Sequence, residues 1–208
     1  MSDTRRTRAN GAASRERILD AAAEIAGERG YEGTSINLIS KRSGLPASSI
    51  YWHFKDKDEL IAAVIDRSYE AWFATIQAPV DAPEGATQAE VFRLGMRASG
   101  DAIAKFPDFL RLGLMLILEQ RPEDPTARGK FLEVRSRTAE GVRLLYRTLF
   151  PDLGEADVGA LITLTMALSD GLFVAQQAGE IDLGTGFDLL ATAILGAADQ
   201  VRVLSRQR

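Results

Sequence analysis

The sequence predicts an all-α fold, with an N-terminal head of three helices joined by a fourth helix to a C-terminal helical bundle. Three observations predict it. Apolar residues recur at helical spacing through most of the chain, and no stretch alternates apolar with polar as a half-buried strand does. Short Pro/Gly segments, "APVDAPEGAT", "FPDF", "RPEDP", "FPDLG" and "GEIDLGTG", separate the periodic stretches. The composition, 46 % hydrophobic and 26 % charged over 208 residues, is that of a folded chain with room for a sizeable core.

Residues 1–13 are polar and rich in Arg, Ala and Gly, which predicts a flexible basic arm. Ser14 is placed to cap a helix over about 15–29, with Ile18, Ala22, Ile25 and Ala26 on one face. "RGYEG" ends it. Thr34 and Ser35 precede a short second helix with Ile36 and Ile39 turned inward, and Gly44 stops that helix. A third helix spans about Pro46 to His53, proline being suited to a first turn where its missing N–H costs little. "KDKDEL" opens a fourth helix to about Gln77, with Leu60, Val64, Ile65 and Trp72 on its inner side. The linker at 78–87 divides a head at 14–77 from a body at 88–208. Helical segments are expected in the body at about 88–104, 107–120, 126–149, 155–179 and 185–206.

The absence of cysteine excludes disulfides, thiolate metal sites and cysteine nucleophiles. With one histidine besides, no typical zinc site can be assembled, so neither a metal nor a cofactor is expected. No apolar leader opens the chain, and the richest apolar run, "LGLMLIL" at 112–118, is far short of a membrane span. A cytoplasmic protein with no membrane partner is expected. The net charge of −4 hides an uneven distribution. Residues 1–60 hold ten Lys/Arg against nine Asp/Glu, and the remainder fifteen against twenty. A mildly basic head stands on an acidic body.

"TSINLISKRSG" followed by "LPASSIYWHF" has the pattern of a helix-turn-helix. Gly44 supplies the left-handed residue that the turn requires. Ile39, Leu45 and Ile50 seal the two helices together, which leaves Ser48, Ser49, Tyr51, Trp52 and His53 outward. Hydroxyl, phenol, indole and imidazole groups all hydrogen-bond to phosphate, and some reach base edges.

The stretch 30–65 resembles the TetR family of bacterial transcriptional regulators. It carries Thr34, Ile39, Gly44, Tyr51, Phe54, Lys57, Glu59 and Leu60 at the family's characteristic places. It departs from the family pattern at Leu38, Ser40, Pro46 and Ser48. The resemblance implies that Thr34 and Ser35 donate to a phosphate and that Lys41 and Arg42 lie close enough to contact one. It also implies that Ala47, Ser48 and Ser49 lie nearest the bases and that Tyr51, His53 and Lys57 contact the backbone. Trp52 is left to meet bases or sugars.

One recognition helix reads too few bases to be specific, so a homodimer on a palindromic double-stranded DNA operator is expected. Two apolar stripes are candidates for the dimer interface: Val158, Leu161, Thr165, Leu168 and Leu172, and then Phe187, Leu190, Ile194, Ala198 and Val201. The resemblance also implies a small-molecule effector in the body. Phe109, Leu112, Met115, Leu116, Met166 and Phe173 are candidates for an apolar wall. Glu119, Gln120, Ser169, Asp170 and Gln177 are candidates for its sparse polar groups. The function expected is a ligand-responsive repressor, not an enzyme. Two rivals stand beside it. An all-α enzyme would use Glu119 and Asp170 as acid and base, without a histidine or cysteine to accompany them. A protein-interaction module would bind a protein, not DNA, through the head.

Overall fold

The structure is a computed structural model that describes residues 2–119 and 126–205, with side chains described over 10–119 and 126–204. Among the described residues it is all-helical, as the sequence predicts. The helices are α1 (Ser2–Arg29), α2 (Ile36–Ser43), α3 (Ala47–His53), α4 (Lys57–Ile76), α5 (Gln88–Lys105), α6 (Asp108–Leu118), α7 (Thr126–Leu149), α8 (Glu155–Gln177) and α9 (Leu183–Ser205). The expected "RPEDP" break and Gln120 lie outside the described residues.

The chain folds as two compact units, Met1–Tyr69 with Pro107–Glu133, and Glu70–Phe106 with Val134–Arg208. Their border does not follow the linker at 78–87. It falls inside α4 and inside α7, and α6 belongs with the head. Composition marks where a chain is loose, but helix packing decides which segments cohere.

In the first unit, Ile18 and Leu19 of α1, Ile39 of α2, Ile50 of α3, and Leu60, Ile61 and Ile65 of α4 are fully buried. Each such side chain contributes about 1.5–3 kcal/mol from burial. α1 begins at Ser2, so residues 2–13, expected to be an arm, are helical. They contain no proline and several good helix formers. Ser14 is therefore mid-helix and donates back to the Asn10 carbonyl at 2.9 Å instead of capping. α2 starts with the Ser35 hydroxyl accepting from the Leu38 N–H at 3.3 Å, and it ends at Gly44 with φ 67°. A side chain at Gly44 would be strained. α6 packs closely on α7: a Cβ added at Gly113 would lie 2.0 Å from the Phe131 ring. The N-terminus of α6 is held by α4, since the Phe109 N–H donates to the Ser68 hydroxyl at 3.1 Å.

In the second unit, α9 packs along α5 and α8. α5 opens with a capping box between Thr87 and Glu90. Phe92 and Tyr146 meet edge-on, Tyr146 and Phe150 meet at a tilt, and the buried Tyr146 hydroxyl meets the Thr165 hydroxyl at 2.5 Å. Burial pushes the Tyr146 phenol up to about 12, so it stays protonated.

The stripes expected at a dimer interface are corrected here. Val158, Leu161 and Thr165 of α8, with Phe187, Leu190, Ile194 and Ala198 of α9, are buried inside this unit; Leu168, Leu172 and Val201 are half-buried. The apolar face left in solvent is the other one, with Leu164 and Val174 on α8 and Leu189, Val203 and Leu204 on α9. α8 is also long and apolar enough to cross a membrane by length and composition, with an 18-residue stretch of mean hydropathy 1.8. Asp170 interrupts the segment, so its uncharged run stays short of a span.

Candidate nucleic-acid interface

The candidate interface is built by three helices of the first unit. Gly44 reverses the chain between α2 and α3. The Ser40 hydroxyl donates to the Leu45 carbonyl at 2.7 Å, and Arg17 of α1 donates to the Ser43 carbonyl at 2.6 Å. The turn is thus fixed by side chains from both sides. Ile50 and Phe54 anchor α3 inward. Ser48 is exposed, Ala47 and Ser49 are half-buried, and Tyr51 and Trp52 are 57 % and 76 % exposed. The His53 ring stands edge-on to Trp52 with centroids 4.5 Å apart. Partial burial first, and then the charge of Arg15, hold the His53 imidazole below the ordinary histidine value. Two large aromatic side chains in solvent on one short helix are costly unless they meet a partner.

Not every expected contact is available. Thr34 is buried, and its hydroxyl donates to the Gly30 carbonyl at 2.7 Å, so its proton is spent inside the head. Arg42 is held by Glu28 through both terminal nitrogens and by Glu24 at 2.7 Å. Lys57 donates to the Tyr31 carbonyl at 3.1 Å and lies over that ring at 4.0 Å. Ser35 and Lys41 are exposed. The side chains of Arg5, Arg6 and Arg8 lie outside the described residues.

Residues 18–64 match the family described as bacterial regulatory proteins, tetR family. The transcriptional regulator AcrR of Shigella flexneri is 36 % identical over 64 residues, which cover 31 % of this chain and 30 % of that protein. SrpR of Pseudomonas putida is 28 % identical over 104 residues, 42 % of this chain and 49 % of that one. The chain thus spans between about a third and a half of these curated relatives. In fold, the TetR-like regulator from Rhodococcus sp. RHA1 superposes with a TM-score of 0.67 at 19 % identity, covering 88 % of this chain and 93 % of that chain.

Residues 18–64 of this chain thus resemble the TetR family, and the fold is that of a TetR-like regulator.

The expected effector residues divide between the two units. Phe109, Leu112 and Leu116 are buried in the first, Phe109 edge-on to Tyr69 with centroids 5.8 Å apart. Met115 is half-buried against Gly30, and Glu119 is exposed. In the second unit Phe173 is buried, Met166 is half-buried and Gln177 is exposed. Ser169 donates to the Thr165 carbonyl, and Asp170 accepts from Arg135 at 2.8 Å. Two surface clefts of about 430 and 470 Å³ are lined by other residues, one by Pro83, Arg93 and Leu94 among others, the second by Gly27, Asp108 and Arg111 among others.

Sequence reasoning missed three polar groups of the head. Arg15 lies over the Phe54 ring at 5.3 Å, and Arg17 locks the turn. Asp58 accepts from the Tyr31 hydroxyl at 3.1 Å and from the Thr126 and Ala127 N–H groups that open α7. A signal did exist for Arg42. Glu24 and Glu28 are four apart on α1 and share a helix face, which calls for a cation.

Proposed function

We propose that this chain is a DNA-binding transcriptional repressor that works as a homodimer on a palindromic operator and answers to a small molecule. The observation that carries the reading is the polar and aromatic face of α3, with Ser48, Tyr51 and Trp52 in solvent behind a turn fixed at Gly44. A helix so presented fits a major groove. Ser48 and Ser49 lie nearest the bases, with Ala47 beside them. Ser35 and Lys41 reach the backbone alongside Tyr51 and His53.

Dimerisation is assigned to the outer face of α8 and α9. Leu164, Ala167, Gly171 and Val174 follow one another at helical spacing, as do Leu189, Ala193, Gly196 and Val203. Gly171 and Gly196 have open space where a Cβ would stand, so a partner's helices can approach closely. Two helices from each copy make a four-helix interface.

The helix that links reading head to effector is α4. Its Asp58 accepts from the first N–H groups of α7 and its Ser68 from that of α6. An effector that binds a conformer with α6 or α7 displaced drags α4 and shifts the population away from DNA. Its wall is drawn from Leu112, Met115 and Leu116 of the first unit. The site of action is the cytoplasm, where the chromosome of a bacterium lies. Gel-shift titration on duplexes flanking the chain's own gene tests the reading. Retardation at nanomolar protein that weakens steeply with salt supports it; no retardation of any palindromic duplex at low salt refutes it.

A further inference from the structure

The helix-turn-helix does not make up the whole polar surface around α3. The stretch of α1 from Gly11 to Arg15 runs beside it. The Trp52 ring lies 3.8 Å from where a Cβ on Gly11 would stand. One turn further on, the Arg15 guanidinium lies over the Phe54 ring at 5.3 Å, and its charge acts on His53. Arg15 is 45 % exposed. Its carboxylate neighbour, Glu16, is 3.8 Å away, while the other oxygen of Glu16 is taken by Arg67 at 2.9 Å. The cations expected to face phosphate, Arg42 and Lys57, are instead held by Glu24, Glu28 and Tyr31. Arg15 is thus a cation beside the C-terminal end of the recognition helix with only a loose internal partner.

We propose that Arg15 of α1 binds a backbone phosphate of the operator together with His53, so that α1 forms a second DNA-contacting element outside the helix-turn-helix. The chemistry fits. A guanidinium presents a planar fork of donors to phosphate oxygens, and the imidazole supplies one N–H beside it. The Phe54 ring positions the guanidinium by a cation–π contact without consuming its donors. This inference rests on the DNA-binding reading of α3.

The test uses the full chain and a duplex that the wild-type protein selects from a random pool. Affinity is measured by fluorescence anisotropy from 50 to 300 mM salt for wild type, Arg15→Ala and Arg15→Lys. For each phosphate neutralised the slope of log K against log salt changes by about 0.9, so Arg15→Ala makes it shallower by about 1.8 in a dimer. Arg15→Lys keeps the wild-type slope. Weaker binding by Arg15→Ala at an unchanged slope makes Arg15 a packing residue over Phe54 and overturns the proposal, as does wild-type affinity. If Arg15→Ala fails to fold, the Lys variant decides alone, and a slope shallower than wild type overturns the proposal. A wild-type protein that selects no sequence at low salt overturns the DNA reading and this inference together.

Discussion

Replacing Asp58 by alanine is expected to destabilise the first unit by about 2–3 kcal/mol. The magnitude follows from what the carboxylate holds. Its oxygens accept from the Thr126 and Ala127 N–H groups, which are among the first four donors of α7 and have no partner within that helix. Losing such a cap costs about 1 kcal/mol. The negative charge at that helix terminus adds about 0.3–1 kcal/mol. The Tyr31 hydroxyl, 3.1 Å from the same carboxylate, loses a bond of about 1 kcal/mol. For a chain of this length each kcal/mol lowers the melting temperature by about 2–4 °C. A fall of about 4–12 °C is therefore expected by circular dichroism. Hydrogen exchange with mass spectrometry localises the effect: the segment from Thr126 to Phe131 loses protection. Asp56→Ala is the comparison, because Asp56 accepts from the Glu59 N–H and caps only α4. A melting temperature within 1 °C of wild type, or equal protection of Thr126–Phe131 in both variants, refutes the reasoning.

Three further outcomes are expected. Tyr146→Phe removes the buried bond to Thr165 and costs about 1 kcal/mol in urea unfolding, with the fold intact. Leu164→Glu, on the outer face of α8, converts a dimer to a monomer in sedimentation velocity, while Thr163→Glu one residue earlier weakens it less. His53 titrates below the ordinary value of 6.5, read from its single imidazole signal by NMR, and Arg15→Ala moves it upward. Because the folded state disfavours the charged imidazole, its contribution to stability is complete above pH 6.5 and is lost as pH falls through the folded value.

The head was legible because its constraints are local. A positive φ at Gly44 demands glycine, and the apolar positions Ile39, Ile50 and Phe54 leave one face of α3 for solvent. What escaped was set by partners distant in sequence. Arg42 is neutralised by Glu24 and Glu28 of α1, and Lys57 is turned back onto Tyr31 twenty-six residues earlier. A cation's identity does not say which of these it meets. The dimer stripes failed for another reason. α8 and α9 are apolar on more than one face, so helical periodicity finds the stripes but not which of them neighbouring helices cover. The grouping of α6 with the head was likewise invisible, since it rests on Ser68 meeting Phe109 and Phe131 meeting Gly113.

The central claim is that α3 reads double-stranded DNA as one half of a symmetric pair. Selection of duplexes from a random pool, followed by sequencing, tests it most directly. The expected result is enrichment of an inverted repeat whose half-sites lie a helical turn or more apart, lost when Tyr51 and Trp52 are both changed to alanine. An unenriched pool at low salt, or the same repeat enriched by the double variant, would contradict it.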